Sequence, residues 1–504
     1  MAPRRSGKWW IVAAMSVPLF ILTVDINGVI VALPDIGLDL DASTTSLQWV
    51  MNAYLLAFAS LLLPIGRVAD VVGRRRVLIV GTTVFGLASL SNGLAPNELV
   101  LIIGRAVQGA GAAMFFATSL SIVSNAFSAE ERGRGIGIWT AVGASGAAAG
   151  PLIGGVLTEL LSWRWFFFVN VPIAVAAVVL ILLVVEESRD ESAGGRIDVP
   201  GFLASTAGVV ALVLGIQESD NQGWGSPLVL GLLAAAVVLL VAFVVVERHV
   251  KNPLFDLDLF RNRNFVSSNI VGALQNYTFF GISFFLTLYL QNVLGLTAGE
   301  TGLMFLAVTG PFVAASPFMG KAYNTLGGRW GMFIGIALCA VSAAMLTALE
   351  VDSDLLIVVA AFVVLGIGSA FGYNISTTAG MSSIEEDKAG AASGILSSTR
   401  FVGSALGLAI TGAVFKVVEE DRLDQELTDQ VPALTAAQRE EVEGLLSGSP
   451  QAAAELSELG ADAAARVEDV VQAVFIPSLS AAMAALAITV GIGSLAAFLY
   501  REPS

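Results

Sequence analysis

The chain has 504 residues, 56% of them hydrophobic and only 13% charged, with a formal net charge of −15. A soluble chain carries about twice that share of charge, so this composition excludes an ordinary soluble protein. The apolar residues fall in long runs, and a helix of about 20 such residues crosses the roughly 30 Å hydrocarbon core, so an all-α integral membrane protein is expected.

In chain order, "MAPRRSGK" and the apolar run behind it have the charge order of a signal peptide. The run is too long for an h-region and lacks a small-x-small cleavage site, so it reads as an uncleaved first span. Fourteen spans are expected, at 9–33, 47–66, 77–95, 99–126, 133–160, 164–185, 199–217, 227–247, 264–290, 299–321, 330–349, 355–381, 388–416 and 475–499. Lys and Arg orient them. With both termini in the cytoplasm of a cell (plasma or inner) membrane, Arg4, Arg5, Lys8, Arg67, Arg74, Arg75, Arg76, Arg132, Arg134, Arg248, Lys251, Arg261, Arg263, Lys321 and Arg329 all fall inside. The outward loops hold Asp35, Asp39, Asp41, Glu98, Glu218, Asp220, Glu300, Glu350, Asp352 and Asp354. Seven tryptophans (Trp9, Trp10, Trp49, Trp163, Trp165, Trp224 and Trp330) lie near span ends, as an interfacial belt requires.

The first span carries one formal charge, Asp25 in "TVDINGVIVALP". It lies about 12 Å from the outer end of its span, and Arg105 in "GRAVQGAGAA" lies about 9 Å deep in the fourth. Each charge alone costs about 2.5–3.5 kcal/mol on insertion scales, so the two are expected near each other on a central cavity. Desolvation and a nearby cation act on a carboxyl group in opposite directions, so Asp25 is either a proton carrier or a structural salt bridge. The second span leads into "GRVADVVGRRR", in which Gly66 and Gly73 permit a turn and Asp70 meets a helix N-terminus or Arg74. That loop is either a cytoplasmic gate or an orienting basic loop. In the fifth span, Gly146, Gly150 and Gly154 share one helix face, with Pro151 and Gly155 beside them, fitting close packing with or without a moving helix.

"GKAYNTLGGR", Gly320 to Arg329, repeats the loop pattern, with Asn324 in place of Asp70. A recurring loop signature points to a duplicated bundle. The expected organisation is a six-helix bundle at 1–190, a two-helix insert at 191–252 and a second six-helix bundle at 253–504. Asn27, Gln108, Asn276, Tyr277 and Arg400 are the polar groups expected on a substrate cavity. Arg400 can serve an anionic group, a helix end or phospholipid. Residues 417–474 carry fourteen acidic residues against three arginines and read as a solvated outer excursion, with a capping box at Thr435–Gln438. One cysteine, Cys339, and one histidine, His249, leave no disulfide and no metal-ligand cluster. No phosphate loop or nucleophile–base pair is present, so neither an enzyme nor a cofactor is expected.

Together these stretches resemble the major facilitator superfamily, in particular its fourteen-helix drug:proton antiporter branch. "GRVADVVGRRR", "RAVQGAGAA" and "GPLIGG" are similar to its motifs on the loop after helix 2, on helix 4 and on helix 5. "WRWFFFVNVP" at Trp163–Pro172, "RIDVPG" at Arg196–Gly201 and "DINGVIVALP" resemble further branch motifs, with Asn27 where threonine is usual. The resemblance implies a proton-coupled exporter of small, largely apolar or cationic compounds. It implies a monomer in lipid, partnered by substrate and protons and not by nucleic acid. An exporter of an endogenous metabolite or lipid, or a non-transporting sensor of the same fold, stays open.

Overall fold

A computed structural model describes residues 7–127, 129–189, 198–250, 257–351, 353–385, 388–430 and 461–502, and every regular element among them is helical. In order these are α1 (Gly7–Leu40), α2 (Thr44–Val72), α3 (Arg74–Gly93), α4 (Glu98–Asn125), α5 (Ala129–Leu160), α6 (Trp163–Phe168), α7 (Asn170–Val184), α8 (Val199–Gln222) and α9 (Pro227–His249). After them come α10 (Arg263–Leu288), α11 (Ala298–Met304), α12 (Leu306–Ala315), α13 (Met319–Leu346), α14 (Leu355–Ser382), α15 (Ala389–Gln430) and α16 (Ala461–Gly493). The expected capping box at Thr435–Gln438 lies outside the described residues, as do Arg4, Arg5, Arg196, Lys251 and Asp352.

Twelve helical stretches among the described residues are long and apolar enough to cross a membrane. One of them, Ala298–Leu346, holds two of the expected spans and turns between them at Gly327, where φ is +79°. The helix Arg74–Gly93 is not among the twelve; it opens on three arginines.

Short polar side chains decide where several helices start. The Ser43 hydroxyl accepts from Ser46 N at 3.1 Å, Asn97 Oδ1 from Val100 N at 3.0 Å, and Asp354 Oδ1 from Leu356 N at 2.9 Å. Each satisfies an amide that the first helical turn leaves without a partner. At α11 the cap is reciprocal: Thr297 Oγ1 accepts from Glu300 N, and Glu300 Oε2 accepts from Thr297 N.

The helices up to α7 pack chiefly on one another, and those from α10 onward do the same. The two groups meet where α2 packs on α15 and where α5 packs on α11 and α12. Glycines permit the closest approaches. A Cβ on Gly150 would stand 2.9 Å from Val24 O, and Gly146 and Gly154 lie tighter still on α1, against Thr23 Oγ1 and Gly28 O. Beside them, Gly155 lies against Ala298, and a Cβ on Gly302 would meet Pro151 O at 2.5 Å. The glycine stripe thus seats α5 on α1 while its neighbouring residues seat it on α11. Between the groups in sequence, α8 packs on α9 and also reaches α2 and α15.

The repeated loop has a repeated geometry. Gly73, with φ +128°, ends α2 and starts α3, and Gly327 is its counterpart. Both φ values lie where only glycine is unstrained. In each copy a glutamate just beyond the last helix of its group caps the helix that follows the turn. Glu187 Oε1 accepts from Arg75 N at 3.0 Å, and Glu502 accepts from Gly328 N at 3.2 Å and Arg329 N at 2.9 Å. Gly66, expected to help the turn, lies inside α2 with open space around it; the turn is made by Gly73 alone.

Candidate functional site

The charges expected to meet do meet. Arg105 Nη1 lies 2.5 Å from Asp25 Oδ2, and both side chains are 0% exposed. Four further polar side chains, Gln108, Ser89, Asn92 and Asn170, complete the cluster. Gln108, one helical turn after Arg105 and so on the same face of α4, accepts from Arg105 Nη1 at 2.7 Å and donates to Asp25 Oδ1 at 2.9 Å. It also donates to Ser89 Oγ at 2.6 Å and accepts from Asn92 Nδ2 at 2.8 Å. Asn170 Nδ2 adds a third donor to Asp25, at 3.1 Å from Oδ1. Arg105 Nε donates to Val50 O at 3.2 Å, and the Tyr54 ring covers its guanidinium at 4.3 Å.

The cluster therefore ties together α1, α2, α3, α4 and the α6–α7 segment. A carboxylate in a dry interior persists when its lone pairs are filled and its charge is opposed, and Asp25 has both. The pair does not line an open cavity, as the sequence suggested; it is sealed inside its own helix group. Gln108, expected among cavity residues, belongs to this network. Ser89, Asn92 and Asn170 were not singled out from sequence. Each is a small neutral polar residue in an apolar run, and only the coordinates place them around Asp25.

The other expected positions fall elsewhere. Asn27 donates to Thr23 O of its own helix at 2.7 Å. Tyr277 is buried where α10 crosses Gly407 of α15, and Asn276 beside it is half-buried. Arg400 of α15 is buried without a carboxylate: its Nη2 donates to Ser376 Oγ at 2.9 Å, Thr377 Oγ1 at 2.7 Å and Tyr373 O at 3.1 Å. At the arginine-rich end, Asp70 accepts from Arg74 Nη2 at 2.7 Å and Nε at 2.9 Å, and Arg74 N donates to Ser188 O.

Contacts between the two groups complete the geometry. Toward the acidic end, Gln291 donates to Val31 O at 2.9 Å, and Glu159 Oε2 accepts from Thr297 Oγ1 at 3.1 Å and Gly299 N at 3.0 Å. Midway, Phe58 of α2 lies 4.3 Å from Phe401 of α15. At the arginine-rich end, by contrast, Asp70 and Glu187 hold partners within their own group.

The family described as Major Facilitator Superfamily matches residues 16–408. The chain is 38% identical over 423 residues to the puromycin resistance protein Pur8 of Streptomyces alboniger, covering 82% of each chain. It is 36% identical over 420 residues to the multidrug resistance protein Stp of Mycobacterium tuberculosis, covering 83% of this chain and 78% of that one. Among solved structures it is similar to a bacterial homolog of the human lysosomal transporter Spinster, in an inward-facing and occupied conformation. That likeness has a TM-score of 0.68 and 15% identity, over 98% of this chain and 97% of the other.

Proposed function

Because the chain belongs to the Major Facilitator Superfamily, a family of membrane transporters, we propose that it exports small, largely apolar drug-like compounds in exchange for protons. Relatives named for drug and antibiotic resistance support export. The observation that carries the coupling is the Asp25–Arg105 pair, a sealed ionisable group bonded to five helical segments of one group. Adding a proton to Asp25 removes the charge that Arg105 and two amide donors, Gln108 and Asn170, hold, and so changes what binds those helices together.

In this reading the two helix groups, 1–190 and 253–504, are halves that rock about the space between them, with residues 191–252 as a two-helix insert. The chain crosses the cell membrane fourteen times: the twelve apolar stretches, the second crossing within Ala298–Leu346, and Arg74–Gly93. Both termini and the arginine-rich end face the cytoplasm. In this reading the contacts Gln291–Val31 and Glu159–Thr297 close the outer side, which supports an inward-facing state. Opening outward breaks those contacts and brings the Asp70 loop toward the other half. The working unit is a monomer in lipid. The membrane potential contributes about 2.3 kcal/mol per charge per 100 mV. One proton driven by roughly 180 mV therefore sustains a concentration ratio near 10³.

The test uses inside-out vesicles carrying an imposed pH gradient and a compound panel headed by puromycin. Addition of a transported compound collapses the gradient with the native chain, and Asp25→Asn abolishes that collapse. Proton-driven uptake undiminished in Asp25→Asn removes Asp25 from coupling. Silence of the native chain with every compound favours a sensor.

A further inference from the structure

The space between the halves has an unbalanced charge. The C-terminal half meets its partner through α12 and α15, and Tyr373 of α14 stands between those two helices. Its ring lies 6.2 Å from Phe312 of α12 and 4.1 Å from the Arg400 guanidinium of α15. Tyr373 is 38% exposed although it sits well inside α14, on the side that α12 and α15 flank. Next to Arg400 along α15, Phe401 packs on the buried Phe58 of α2, which in turn meets Phe116. Among the described residues, the cation behind Tyr373 lacks a counter-charge.

That lack is specific to Arg400. Its Nη2 makes three hydrogen bonds, all to neutral oxygens, and its Nε is buried without an acceptor. Among the described residues no carboxylate pairs with it, whereas Arg105 has Asp25. Gly272 of α10 lets that guanidinium pack closely, since a Cβ there would stand 2.7 Å from Arg400 Nε. An unopposed guanidinium in low dielectric gains most from an anion that offers two oxygens to its fork, and the aromatic face beside it suits a flat ring carrying that anion.

We propose that Arg400 and Tyr373 form a recognition site for the anionic group, carboxylate or sulfonate, of a flat apolar solute held between the halves. The inference rests on the export reading of that same space and gives its cargo a charge. It runs against the cationic part of the cargo expected from sequence, for which the described residues bonded to Arg400 offer no carboxylate.

The test is equilibrium binding to the purified full-length chain in detergent, read by fluorescence polarisation. Two probes share a three-ring skeleton: fluorescein, which carries a carboxylate, and tetramethylrhodamine methyl ester, which is cationic. The native chain binds fluorescein about tenfold more tightly than the rhodamine, and Arg400→Gln removes that preference. Arg400→Lys keeps part of it, and Tyr373→Leu weakens fluorescein roughly threefold. Unchanged rhodamine binding in the variants shows that they are folded. The proposal is overturned if the native chain prefers the rhodamine, if Arg400→Gln weakens both dyes alike, or if it leaves fluorescein unaffected. It is also overturned if phosphatidylglycerol added to the detergent displaces fluorescein from the native chain, because the anion served would then be a lipid phosphate. Failure of the export reading shows separately, as vesicles that move no compound whatever the dye affinities.

Discussion

Among the described residues each helix group buries one guanidinium, and the two are held differently. Arg105 faces a carboxylate at 2.5 Å inside a network of amides and a hydroxyl. Arg400 leans on two hydroxyls, a carbonyl and a tyrosine ring. Elsewhere the halves agree closely: a positive-φ glycine, a following arginine and a glutamate cap recur at Gly73–Arg75 with Glu187 and at Gly327–Arg329 with Glu502. The shared features are those a hinge loop needs in both halves. On the proposed function, the difference falls at the two groups assigned to the proton and the cargo: the turn geometry recurs, and the ion pairing does not.

The comparison breaks most easily at Arg105. Arg105→Gln strands Asp25 in a dry interior, and removing one partner of a buried pair costs about 3–5 kcal/mol. Thermal unfolding in detergent should show the largest drop in midpoint here, and a variant as stable as the native chain would mean that Asp25 is not held as a charge. The duplicated caps come next. Glu187→Gln and Glu502→Gln each lose a charge-assisted helix cap, at about 0.5–2 kcal/mol. The two losses should match within error, and a large loss for one alone would deny that the loops are equivalent. Arg400→Gln should do least, about 1 kcal/mol or less, because it strands no charge. The side chains of Ser376 and Thr377 already donate to Tyr373 O and stay bonded. A loss as large as that of Arg105→Gln would reveal a counter-charge and end the contrast.

Much of this was legible in the sequence, for identifiable reasons. Long apolar runs fix the helices, and the Gly-x-x-x-(Asp/Asn)-x-x-Gly repeat marks the duplicated turn that Gly73 and Gly327 make. Matched depth was enough to bring Asp25 to Arg105, because two opposite charges in hydrocarbon have few other solutions. Gln108 was visible but misplaced: its spacing from Arg105 puts it on the same helix face, and so in the ion-pair network. Asn170, Ser89 and Asn92 were not legible, since a neutral polar residue in an apolar run looks the same whether it packs or ligates. Glu187 and Glu502 lie outside the spans, 112 and 173 positions from the amides of Arg75 and Arg329, and nothing local betrays their partners. The sealing of Asp25 also escaped the sequence, because depth along a helix does not say which way the helix faces.

Proton release measured directly on the purified chain addresses the coupling most closely. In weakly buffered detergent solution with a pH indicator, saturating the native chain with a transported compound should displace about one proton, and Asp25→Asn should displace none while binding the same compound. Equal release from both would contradict the assignment of the exchanged proton to Asp25.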